Sequence, residues 1–149
     1  MSTIIGIDPG KNGAIAWIND GKPCVEKMPD TLKDLWEIIT GITYQIIKTG
    51  GSGHTCKAYI EAVHSSPQMG VVSAFTFGQG FGHLEMALTA AGIPFERVTP
   101  QKWQKAMGCL TKGDKNVSKR RAQELFPQMK ITHATADALL IAEYGTTQF

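Results

Sequence analysis

A chain of 149 residues is sized for one domain with a sizeable core, and 42% hydrophobic with 19% charged residues is the composition of an ordinary folded protein. The formal charge of +2 conceals a polarity: positions 97–130 hold nine Lys or Arg against two acids, and the rest of the chain six against eleven. Such a basic segment reads either as a footprint for a polyanion or as a solvated helix surface. Three widely spaced cysteines, Cys24, Cys56 and Cys109, form no C-x-x-C pair, which argues against a disulfide frame or zinc site and for reduced thiols in a cytosolic protein. No stretch reaches the roughly 18 apolar residues of a membrane span, and the start lacks a signal-peptide pattern, so an intracellular, cytoplasmic protein without membrane partners is expected.

Residues 4–10 read I-I-G-I-D-P-G. The β-branched residues favour a buried strand, and Pro9 holds Asp8 out of helical geometry while removing a backbone donor, so the strand ends at a carboxylate. A carboxylate leaving the core there costs several kcal/mol unless something positive holds it, and a divalent cation is the leading candidate. A second strand is expected over 14–18, a hairpin at Asn19-Asp20-Gly21, and a third strand over 23–28. Asp30 or Thr31 then caps a helix whose apolar face is read as Leu32, Leu35, Trp36, Ile38, Ile39, Ile42, Ile46 and Ile47. Residues 49–54, rich in Gly and Ser, read as a flexible loop.

The run A-Y-I-E-A-V over 58–63 is a strand with an acid, Glu61, inside its apolar pattern. Glu61 either faces solvent on an edge strand or stands beside Asp8, and two buried carboxylates side by side require a cation or a shared proton. Positions 71–91 have helical spacing, with Phe75, Phe77, Phe81, Leu84 and Leu88 expected in the core and Gly78, Gly80 and Gly82 offering a close approach for a second copy. A fifth strand over 94–99 leads through Pro100 into a short helix with Lys102, Trp103 and Lys105. The loop over 108–113 contains Lys112 and precedes the most basic helix, with Lys115, Lys119, Arg120 and Arg121, capped by Asn116 or Ser118. The last helix is expected over 135–144, with Asp137 near its start, where a carboxylate gains from the helix dipole; His133 lies four residues earlier and Glu143 is turned to solvent.

Asp8, Glu61 and Asp137 are therefore three acids that interrupt apolar patterns. Phosphodiester hydrolysis with two magnesium ions about 3.5 to 4 Å apart needs such a set, and magnesium prefers the hard oxygen ligands that Asp and Glu supply.

G-I-D-P-G with Gly13, I-E-A-V from Ile60 and A-D-A-L-L-I-A from Ala136 occur in the order and spacing of Holliday-junction resolvases of the RuvC type, with Gly78-Gln79-Gly80 and Thr99-Pro100 between them. The chain resembles that family over nearly its whole length. The resemblance implies a ribonuclease H-like α/β fold: a five-stranded mixed sheet, the first three strands antiparallel, with helices on both faces. It also implies a homodimer that nicks two symmetric strands of branched DNA, four-way junctions above all, with two Mg2+ ions, or Mn2+, as cofactor. Asp8, Glu61 and Asp137 match the family's metal-binding carboxylates. Its fourth ligand or base, three residues before the last aspartate, falls on Ala134, and His133 is the substitute, either as metal ligand and proton carrier or as a surface histidine capping the helix. The junction-probing loop falls on His64, Ser65, Ser66 and Gln68, and Lys102, Lys105, Lys112, Lys115, Lys119, Arg120 and Arg121 are the expected phosphate contacts.

Three other readings stand beside this one. A wider flap or fork endonuclease keeps the same chemistry, and a junction-binding relative lacks it. The G-I-D-P-G-x-x-G start also resembles the phosphate loop of actin-like ATPases and sugar kinases, which need two such lobes.

Overall fold

The β-branched run at the start of the chain forms β1 (Ser2–Asp8), the centre of a sheet that β2 (Ala14–Asn19), β3 (Lys22–Lys27), β4 (Thr55–Glu61) and β5 (Phe95–Val98) complete in the order β3-β2-β1-β4-β5. The structure is a computed structural model and describes residues 1–148. The pairs β1–β2 and β2–β3 are antiparallel, and β1–β4 and β4–β5 parallel, as the ribonuclease H-like arrangement requires. Asp20 (φ 47°) and Gly21 (φ 81°) both adopt left-handed geometry in the β2–β3 hairpin, which is why Asp and Gly occupy it. Between strands run α1 (Leu32–Gly50) and α2 (Val71–Ala90), and α3 (Pro100–Ala106), α4 (Lys115–Leu125) and α5 (His133–Thr146) follow β5.

Side-chain alternation divides the core into two layers. On one face Ile5, Ile7, Ile15, Ala58 and Ile60 pack against Leu35, Ile39 and Ile42 of α1 and Leu84 and Leu88 of α2. On the other, Ile4, Ala14, Ala16, Tyr59 and Val98 pack against α5, with Trp103 of α3 and Ala122 and Phe126 around α4. Helix α5 is buried on nearly every side because the sheet lies below it and α4 beside it. Its approach depends on Gly6: a methyl there would overlap the backbone of Ala138 and Ala142. Gly6 therefore sets the height of Asp137, the residue before Ala138, over the sheet.

Several expectations are corrected. Thr31, accepting from the Asp34 N–H at 3.1 Å, caps α1, but Leu32 (61% exposed), Trp36 and Ile47 (79% exposed) lie outside the buried arc that Leu35, Ile39 and Ile42 form. Residues 49–54 are not a loop, because α1 runs to Gly50 and a 3-10 turn spans Gly51–Gly53. Phe75 is exposed, whereas Leu84 and Leu88 are core. Asp114, not Asn116 or Ser118, caps α4, accepting from the Asn116 N–H at 2.9 Å, and Ser118 is buried. α5 starts at His133, so Asp137 falls in its second turn, beyond the first-turn reach of the helix dipole. Glu143 is half-buried rather than turned to solvent. The cysteines are free, and among the described residues no helix is long and apolar enough to cross a membrane.

Candidate functional site

Asp8 is the last residue of β1 and Glu61 the last of β4, not a mid-strand acid. The parallel register pairs Ile7 with Ile60, so the next step along both strands sets Asp8 beside Glu61. Asp8 shares the parity of Ile4 and Glu61 that of Tyr59, which places both carboxylates on the α5 face of the sheet. Asp137 reaches the same corner from above, where α5 crosses Gly6.

The electrostatics set Asp8 within reach of both other acids and Glu61 within reach of Asp137. Burial, then Glu61 and Asp137, push the Asp8 carboxyl up to about 8, and only Lys115 opposes them. Glu61 is raised by burial and by Asp137, while the Trp103 indole N–H, donating to its Oε2 at 2.7 Å, pulls it back. Asp137 is raised by burial, against which Ser118, Lys115 and His133 act. Like-charged residues with too little positive charge around them could hold a cation. Hard carboxylate oxygens at the end of a sheet suit Mg2+ or Mn2+ in donor chemistry. Among the described residues, no group of three or more His, Cys, Asp or Glu side chains is placed so that it could hold a metal ion as it stands.

The remaining candidates divide. His133 is exposed at the first position of α5, one turn before Asp137, and of the three acids only Asp137 registers its charge. Lys115, at the first position of α4, acts on both Asp8 and Asp137, closer to the acids than a peripheral phosphate contact needs to be. Lys102, Lys105, Lys112 and Arg120 are exposed on or beside the two helices, and Lys119 is half-buried. Arg121 differs from the others: its Nε–H donates to the Met107 carbonyl at 2.8 Å and a second N–H to Glu124 at 3.2 Å, so it ties α4 to the end of α3 instead of reaching outward. His64 and Gln68 are exposed in the segment between β4 and α2.

Two features were beyond sequence reasoning. Sequence places Trp103 only on a short helix with Lys102 and Lys105, and its hydrogen bond to Glu61 depends on how α3 meets the end of β4. Val71, Val72 and Phe75 form an exposed apolar end to α2, although their helical spacing matches that of the buried residues further along. A cleft of about 630 Å3 between α1 and α2 lies against the opposite face; Lys11, Leu35, Phe77 and His83 line it, and none of the three acids does.

Neither a protein-family model nor a curated protein matches the chain. Solved structures do. T. thermophilus RuvC in complex with Holliday junction substrate aligns at 17% identity over 99% of this chain and 96% of that one, with a TM-score of 0.62. A second Thermus thermophilus RuvC structure aligns at 18% identity over 98% and 96%, with a TM-score of 0.63. From β1 to the end of α5, the chain has the ribonuclease H-like fold of RuvC.

Proposed function

We propose that the chain is a metal-dependent DNA endonuclease of a single nuclease domain that resolves four-way junctions by paired nicks. The observation that carries this reading is the gathering of Asp8, Glu61 and Asp137 at one corner of the sheet, each raised by burial, with Asp8 and Glu61 raised further by the charge of Asp137. Their carboxylates would hold two Mg2+ ions, with Mn2+ a substitute of the same ligand preference. Bound there, the metal supplies activation of water and charge stabilisation at the scissile phosphate. Lys115, beside two of the acids, places a cation where a phosphate oxygen would lie, and His133 holds or moves a proton at the rim next to Asp137.

The substrate class is supported by the basic surface and by the shared fold with a protein solved on a Holliday junction. Lys102, Lys105, Lys112, Lys119 and Arg120 fix the phosphate backbone without reading its sequence. His64 and Gln68 face the branch point, where His64 offers a small stacking surface. Paired nicks need two sites, and a second copy docks along the exposed side of α2, where Val71, Phe75 and Met86 flank Gly78 and Gly82, around which nothing crowds a new Cβ. In this reading the protein acts on DNA inside the cell.

The experiment is cleavage of a four-way junction beside a flap and a linear duplex of the same sequence, with nick positions mapped and Mg2+ withheld in parallel. Symmetric nicks on opposed junction strands, dependent on Mg2+ and absent from the duplex, are expected. Equal cleavage of the flap would widen the substrate class to branched DNA, and binding without cleavage would make the chain a junction-binding relative.

A further inference from the structure

Helix α3 spans only Pro100–Ala106, and Trp103 is its one buried residue. Trp103 is 0% exposed. A core plug in that place needs bulk and no polar atom, and Phe or Leu would fill the role without an N–H to satisfy. The indole N–H instead donates to Glu61 Oε2 at 2.7 Å, at the short end for such a bond, and among the described residues Glu61 Oε1 accepts none. The donor is also fixed from both ends of its helix. Thr99 caps the first turn by accepting from the Lys102 N–H at 3.3 Å, and Arg121 of α4 clamps the Met107 carbonyl just past the last residue at 2.8 Å.

We infer that Trp103 is a positioning residue for the cation site: its indole N–H holds one oxygen of Glu61 and turns the other, free to accept, toward Asp8 and Asp137. The inference rests on the metal-nuclease reading above. A neutral donor suits this task better than Lys or Arg would, because it orients the carboxylate without neutralising it and so leaves the demand for a cation intact. Arg121, in turn, bears on the site through α3.

The test is calorimetric titration of Mg2+ into the DNA-free protein and its Trp103→Phe variant, together with the indole N–H resonances of the three tryptophans. Trp17 serves as an internal control, because its buried indole N–H has no partner among the described residues, and Trp36 is exposed. Trp103→Phe should weaken Mg2+ binding by about tenfold or more while metal-free junction affinity stays unchanged. In the unsubstituted protein the Trp103 resonance should move on Mg2+ addition with the calorimetric midpoint, and Asp8→Asn should abolish that movement. Equal Mg2+ affinity in Trp103→Phe would overturn the inference and leave the nuclease reading standing. No Mg2+ binding by the unsubstituted protein would overturn both. If Trp103→Phe does not fold, the resonance decides: a Trp103 signal that stays still through Mg2+ saturation overturns the inference.

Discussion

The paired strands β1 and β4 begin and end in polar residues, and the two ends treat them in opposite ways. At the beginning, Thr3 Oγ1 lies 2.8 Å from His54 Nε2 and 3.1 Å from Asn19 Oδ1, and the Ser2 N–H donates to Asp20 Oδ1 at 2.8 Å. The buried Thr3 hydroxyl is satisfied by these side chains, the usual solution inside a fold. At the other end Asp8, Glu61 and Asp137 share a corner in which burial raises all three and repulsion adds to the rise of Asp8 and Glu61. The same sheet that satisfies a hydroxyl with side-chain amide and imidazole leaves three acids without enough positive charge. The first end contributes to stability, and the second, in the reading proposed above, stores a binding demand.

Removing that demand gives the largest expected effect. Asp8→Asn, Glu61→Gln and Asp137→Asn should each reduce Mg2+-dependent junction cleavage to background with junction binding retained; surviving cleavage in any of them excludes that residue from the reaction. The same change should stabilise the metal-free fold. Because the Asp8 carboxyl is raised from 3.8 to about 8, the folded chain binds more protons than the unfolded one between those values, and metal-free stability falls as pH rises through that window. Asp8→Asn should flatten this slope and raise the melting temperature at pH 8, by about 2–4 °C for each kcal/mol relieved. Melting curves in EDTA from pH 5 to pH 8 measure both.

The basic helix gives an intermediate effect. Lys119→Glu with Arg120→Glu should weaken binding at every sequence and lower the slope of log affinity against log salt by about 0.9 for each phosphate that is no longer neutralised. Arg121→Glu should lower the melting temperature as well, since it frees the end of α3. An unchanged salt slope in the double variant would turn this face away from DNA. The smallest effect belongs to the satisfied end: Thr3→Val should cost about 1 kcal/mol and leave the cleavage rate as it was.

The acid corner was legible because each of its members interrupts an apolar pattern, and a period of two or of 3.6 makes such an interruption visible. The sheet was legible for the same reason, helped by Asp20 and Gly21, whose residue types announce the hairpin. Helix surfaces were less so. Eight apolar residues on α1 cover a wider arc than the sheet can bury, so Leu32, Trp36 and Ile47 share the pattern of Leu35 and Ile39 but not their burial. Arg121 reads as one more phosphate contact until α3 and α4 are seen to touch, and Trp103 is one residue of a short helix until its indole is seen to meet Glu61. These roles depend on how distant elements meet, which local pattern does not encode.

The central claim is that the end of β1 and β4, under α5, is a cation site. Crystals soaked in Mn2+ and measured at its absorption edge test it most directly. Anomalous density is expected among the carboxylates of Asp8, Glu61 and Asp137, and it should vanish in Asp137→Asn. A clean map at that corner in a fully occupied soak, or manganese bound only elsewhere on the surface, would contradict it.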